Sequence, residues 1–155
     1  MWEHSLSRVE RRETDNTARI LIVEDEALNA LYIASALEAC GHAVFGIAAT
    51  AEEALSLAAD EAPDLVVMDI TLRGEIDGVA AARALKERLD IPIVYVTAHS
   101  DRPTMQRAQS TDPAGYLLKP FTARQLQLAI EEALSRKARR QAGIPNEANP
   151  SPAET

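Results

Sequence analysis

Four short apolar runs in this chain each stop at a polar residue: RILIV at Glu24 and Asp25, LVVM at Asp69, IPIVYV at Thr97, and GYLL at Lys119. If the four ends meet, three carboxylates, a hydroxyl and an ammonium share one small volume. Two like charges about 4 Å apart cost roughly 4 kcal/mol at an effective dielectric near 20, so the carboxylates require a positive partner. All-oxygen donors with positions left for water and a phosphoryl oxygen suit Mg²⁺. A divalent metal, the Lys119 ammonium and the Thr97 hydroxyl around one carboxylate would form a receptor for phosphoryl oxygens, with that carboxylate as nucleophile. Singly, each residue has a plainer reading: Asp25 as a helix N-cap, Asp69 as a loop acid, Thr97 as a β-former and Lys119 as a solvated edge charge. Four complementary ends taken together weigh against coincidence.

Positioning these residues requires a sheet whose strands end on one side. Short apolar runs alternate along the chain with stretches of helical period, giving five strand and helix pairs. Runs such as Leu21, Ile22 and Val23 are apolar on both faces, which predicts parallel strands covered by crossover helices. In such an open sheet, ligands bind outside the carboxyl ends of the strands. Thr50 with Glu53, and Thr122 with Gln125, have the spacing of capping boxes at helix starts. Leu126, Ala129, Ile130, Ala133 and Leu134 form one apolar stripe for the last helix, and Ala51, Ala54, Leu55 and Ala58 form one for the second. Gly41 is placed to close the first helix and Pro92 to open the fourth strand.

Composition narrows the class. With 155 residues, 46% hydrophobic and 26% charged, the chain has material for one globular domain. The expected organisation is a domain over 19–137 between disordered tails at 1–18 and 138–155. Cys40 is the single cysteine, and no apolar run is long enough to span a membrane, so a cytoplasmic protein is expected. Residues 20–135 hold eight basic and eighteen acidic residues, a balance that repels nucleic acid. The basic cluster RKARR at 136–140 reads either as a partner or nucleic-acid patch or, more simply, as a solvated helix end complementing the helix dipole.

The set ED at 24–25, MD at 68–69, TA at 97–98 and KPF at 119–121 resembles the receiver domain of two-component response regulators, over about residues 19–137. The resemblance implies an α/β, flavodoxin-like, doubly wound five-stranded parallel sheet of order 2-1-3-4-5 flanked by five helices. It implies Asp69 as phosphoacceptor, charged by a histidine kinase or a histidine phosphotransfer protein. Glu24, Asp25, Asp69 and the backbone carbonyl of Thr71 would then hold Mg²⁺, while Thr97 and Lys119 bind the phosphoryl oxygens. It further implies a cis Lys119–Pro120 peptide, a switching role for Thr97 and Tyr116, and tuning of phosphoryl lifetime by Thr71 and His99.

Some features depart from that pattern. Asp77 and Gly78 stand one residue further on than in many receivers, and Arg73 stands where a proline is common. About eighteen residues follow the predicted last helix, too few for a DNA-binding domain. Output is therefore expected through a downstream protein target or onward phosphotransfer, with a homodimer through the fourth helix, fifth strand and fifth helix as a further expectation. Two rival readings are a receiver-like adaptor that works without phosphorylation and a haloacid-dehalogenase-type phosphohydrolase. The second needs an acid two residues past its nucleophile, where this chain has Thr71.

Overall fold

The computed structural model describes residues 17–143. Within them, strands β1 (Arg19–Val23), β2 (Ala43–Ala48), β3 (Leu65–Asp69), β4 (Ile93–Thr97) and β5 (Gly115–Leu118) alternate with helices α1 (Ala27–Ala39), α2 (Ala51–Asp60), α3 (Gly78–Arg88), α4 (Arg102–Gln109) and α5 (Ala123–Gln141). The strands form one sheet of order β2-β1-β3-β4-β5, parallel throughout. This is the doubly wound flavodoxin-like topology expected from the alternation and the resemblance together.

Side chains on a strand point alternately to opposite faces, so each central strand feeds two cores. Leu21, Val23, Val66, Met68, Ile93 and Tyr95 pack with residues of α2 and α3 and with Ala108 of α4. Ile20, Ile22, Leu65, Val67, Val94 and Val96 pack on the other face with α1 and α5. Nearly every residue of β1, β3 and β4 is therefore buried, whereas the edge strands β2 and β5 are not. Burying one such Ile, Leu or Val fully is worth roughly 1.5–3 kcal/mol, which is why these three runs carry so few polar residues before their ends.

Helix ends follow local chemistry. The Thr122 hydroxyl accepts from Gln125 N while the Gln125 side chain accepts from Thr122 N, completing a capping box. At α2, Thr50 caps Glu53 N, but Glu53 reaches back to Ala49 N rather than to Thr50. Gly41 follows the C-cap of α1 with φ +91, a conformation a side chain would strain. The stripe on α5 is buried at Leu126, Ile130 and Ala133, with Ala129 and Leu134 partly so.

Two boundaries differ from the expected ones. Ala18 is buried and pairs through its carbonyl with Ala43 N, so the fold begins one residue before 19. Helix α5 continues through Gln141, so residues 138–141 are helical rather than tail. Arg140, in this last turn, pairs with Asp90 of the loop after α3. The remaining stretches expected as tails, 1–16 and 144–155, lie outside the described residues.

The Ala18 amide donates to Nδ1 of the buried His42 at 3.1 Å, which requires that nitrogen to be unprotonated. Burial pushes the His42 pKa below its ordinary 6.5, against an opposing pull from the Glu131 charge. The folded protein thus prefers neutral His42, and its contribution is full above the unfolded pKa and lost as pH falls through the lower folded value. Urea melts from about pH 7 to about pH 5 should show wild type losing stability faster than His42→Asn, whose carbonyl can accept the same amide. Parallel curves would contradict this.

Candidate functional site

The registry of the parallel strands aligns their carboxyl ends. Val23 pairs with Met68, Asp69 with Val96, and Thr97 with Leu118, so the residues that end each strand lie along one rim. Backbone bonds Glu24 N to Ala48 O and Lys119 N to Thr97 O extend the ladder one step further on both sides. Glu24, Asp69 and Thr97 are buried, and Asp25 is half-buried. Carboxylate oxygens of Glu24, Asp25 and Asp69 all fall within 4.8 Å of one another.

Each carboxylate is held in place. Glu24 accepts from Glu26 N at 3.1 Å through Oε2 and from Lys119 Nζ at 2.8 Å through Oε1. Asp69 Oδ1 accepts from both the amide (3.0 Å) and the hydroxyl (3.2 Å) of Thr71, while Oδ2 faces Lys119 Nζ at 3.4 Å. Asp25 accepts from Arg73 N at 3.0 Å, and the N-cap of α1 is Glu26, without a side-chain cap bond. The plain reading of Asp25 as a helix cap is therefore wrong; its carboxylate turns to the rim.

Charge is unevenly balanced here. Burial, above all, pushes the Glu24 carboxyl above its ordinary range, and the Asp69 charge adds to this, while the hydrogen bonds from Lys119 and Glu26 oppose it. For Lys119, burial alone would lower the ammonium, but the hydrogen bond to Glu24 and the charges of Asp69 and Glu24 outweigh it and leave the pKa raised. The two upward shifts have different causes, burial for Glu24 and, against burial, the carboxylates of Glu24 and Asp69 for Lys119, and in both the acids outnumber the one ammonium beside them. A divalent cation would close the balance, and a cluster of hard oxygen donors fits Mg²⁺.

The lysine is aimed by its neighbours. β5 stops at Leu118, and the Lys119–Pro120 peptide is cis, as the resemblance implied. Thr97 Oγ1 accepts from His99 N at 3.1 Å, and His99 O accepts from the Tyr116 hydroxyl at 3.0 Å. His99 therefore joins Thr97 to Tyr116 by its two backbone groups, while its side chain is exposed. Behind Tyr116, the ring of the fully buried Tyr95 stands edge-on at 6.3 Å.

Two contributors were not singled out from the residues alone. Gly78 opens α3 and donates its amide to Ile70 O at 2.9 Å; a Cβ there would overlap the Asp69 carbonyl. Only glycine lets the helix start that close to the end of β3. Asp77 caps the same helix at Ala80 N and pairs with Arg107 of α4 at 2.9 Å. The sequence signal was the Asp-Gly pair itself, read as a loop irregularity. Arg73 contributes mainly its backbone amide, since its guanidinium is largely exposed.

Residues 20–131 match the family model of the response regulator receiver domain. The transcriptional regulatory protein PdtaR of Mycobacterium tuberculosis is 41% identical over 118 residues, covering 76% of this chain and 57% of PdtaR. The phyllosphere-induced regulator PhyR of Methylorubrum extorquens is 32% identical over 121 residues, covering 77% of this chain and 45% of PhyR. The chain thus spans about half the length of the curated relatives it matches. Among solved structures, the signal receiver domain of a modulated diguanylate cyclase from Desulfovibrio desulfuricans shares 39% identity at a TM-score of 0.76, over 80% of this chain and 98% of that one. The receiver domain of NtrX from Brucella abortus shares 34% identity at a TM-score of 0.69, over 75% of this chain and 98% of that one.

Proposed function

This chain belongs to the response regulator receiver domain family of two-component signalling, and from that membership we propose that it is a phosphorylation-dependent switch with Asp69 as its phosphoacceptor. The observation that carries this reading is the joint placement of Asp69, Glu24, Asp25 and Lys119 in one half-buried cluster. Oδ2 is the attacking oxygen, because Oδ1 is already occupied by Thr71. It bonds to phosphorus as the bond from phosphorus to the donor's imidazole nitrogen, or to the acetate oxygen of acetyl phosphate, breaks with the electron pair on the leaving group.

Receivers typically bind Mg²⁺ at their acidic pocket, and here Glu24, Asp25, Asp69 and the Thr71 carbonyl would hold it. Bound there, the metal neutralises charge developing on the phosphoryl oxygens. Lys119 supplies the second positive charge. Thr97 would bind a phosphoryl oxygen through its hydroxyl, in exchange for the bond it now accepts from His99. That exchange loosens His99, and with it the carbonyl that holds the Tyr116 hydroxyl. Tyr116 would then report phosphorylation on the surface of α4, β5 and α5.

We take 19–137 as the receiver unit, with the last helix carried on to Gln141. A histidine kinase or phosphotransfer protein is the proposed donor, a downstream protein the target, and the cytoplasm the location. No helix among the described residues is long and apolar enough to cross a membrane. A homodimer through α4, β5 and α5 is the proposed assembly, tested by sizing with and without beryllofluoride.

Incubation with acetyl phosphate and Mg²⁺ should add one phosphoryl group by intact mass. An absent adduct would favour the adaptor reading, and multiple turnover on a generic phosphate ester would favour the phosphohydrolase. His99 and Thr71 are the proposed tuning residues. Because His99 stands two residues past Thr97, its backbone bonded to the Thr97 hydroxyl at the rim, His99→Ala should change the spontaneous decay rate of the acyl phosphate; an unchanged decay curve would remove His99 from this role.

A further inference from the structure

At the opposite end of the sheet, where the strands begin, a cleft of about 270 Å³ is lined by Lys86 of α3, by Asp112 and Ala114 ahead of β5, and by Arg136, Lys137 and Arg140 of α5. Four cations meet there in a chain whose middle, residues 20–135, is strongly acidic. Two acids stand against them: Asp112 in the lining and Asp90, paired with Arg140 at 3.1 Å. A local excess of positive charge remains.

Three of the four cations are tied to carbonyl oxygens rather than to acids. Lys86 Nζ donates to Asp112 O at 2.6 Å, Arg136 to Ala114 O at 3.2 Å and Lys137 Nζ to Asp64 O at 3.2 Å, all backbone carbonyls at strand beginnings. An ammonium has three donors and a guanidinium five, so each keeps hydrogens for another acceptor. Burial pushes the Lys86 pKa down, the Asp112 charge opposes it, and Arg140, Asp90 and Arg136 add smaller effects of either sign. A solvated helix end complementing the dipole would explain Arg139 and Arg140, which lie in the last turn of α5. It accounts for Lys86 as well, in the last turn of α3, but not for Arg136 and Lys137, which are tied inward to carbonyls where strands begin.

We propose that this cleft binds a compact phosphate-bearing anion, either free phosphate or a phosphomonoester, held by Lys86, Arg136, Lys137 and Arg140. Planar guanidinium forks and ammonium points together match a phosphate's several acceptor oxygens. A nucleic acid is disfavoured, because the site is a small concavity and the acidic remainder of the surface would repel a long polyanion.

The test is an amide-resolved NMR titration of the full chain in Mg²⁺-free buffer, at constant ionic strength against chloride, with inorganic phosphate and with ribose 5-phosphate. We expect saturable shifts at Lys86, Ala114 and Ala133, with a dissociation constant of about 1 mM or tighter. Lys86→Met and Arg136→Met, each checked for the wild-type thermal transition, should each weaken binding about tenfold. Tighter binding of the sugar phosphate would identify an ester as the ligand, and equal binding would identify phosphate itself. The proposal is overturned by non-saturating shifts, by saturable shifts confined to the Asp69 rim, or by a short single-stranded oligonucleotide that outcompetes both monophosphates.

Discussion

Asp69→Asn should abolish the phosphoryl adduct formed with acetyl phosphate and Mg²⁺ while leaving the fold intact and slightly more stable. The asparagine amide keeps a carbonyl oxygen where Oδ1 now accepts from the Thr71 amide and hydroxyl, so the local turn is retained. It has no anionic oxygen to attack phosphorus, so the acceptor chemistry is lost rather than slowed. Removing one of three crowded carboxylates also relieves a repulsion that Lys119 only partly offsets. Without Mg²⁺, we expect the variant to gain about 1 kcal/mol in a urea melt, as sites that hold unfavourable charge for function commonly do. Added Mg²⁺ should then stabilise wild type more than the variant, because the variant has lost one anionic ligand. An adduct that persists in Asp69→Asn would move the acceptor elsewhere and overturn the functional assignment.

The parts of this site that could be read from sequence are those fixed by strand ends. Apolar runs must break to a polar residue when they leave the sheet, most sharply on the three buried central strands, so Glu24, Asp69, Thr97 and, at the edge strand, Lys119 stand out in the sequence. Parallel pairing then put them on one rim, since every strand runs the same way. What could not be read was how the rim is trimmed. Asp25 had two local options, capping α1 or turning to the cluster, and in the fold it accepts from Arg73 N, 48 residues away. The close approach of α3 to Asp69 depends on a missing side chain at Gly78, which has no signature beyond the Asp77-Gly78 pair at the helix start. The extension of α5 to Gln141 brings Arg140 to Asp90 in the loop after α3, a pairing that periodicity along one helix does not encode.

Lys119 is where the structural and functional demands on the cluster meet, and replacing it separates them. Its ammonium lies 2.8 Å from Glu24 and 3.4 Å from Asp69, with a side chain only 19% exposed. An exposed ion pair contributes about 0–1 kcal/mol. Removing one partner of a buried pair instead costs about 3–5 kcal/mol, because the remaining charge stays buried without compensation. We therefore expect Lys119→Met, which keeps the aliphatic stem, to lose about 3 kcal/mol in Mg²⁺-free urea melts, and to recover much of that loss when Mg²⁺ is added. Recovery is the informative part: a lysine acting only as a packing element would leave a deficit that no cation repairs. With Mg²⁺ present the variant should still accept a phosphoryl group, since Asp69, the proposed nucleophile, is untouched. Without an ammonium to hold the phosphoryl oxygens, however, nothing draws the rim together, and amide shifts at His99 and Tyr116 on phosphorylation should shrink towards zero. Full shifts there in the variant would place the coupling entirely in Thr97 and leave Lys119 as the counter-charge to Glu24 alone.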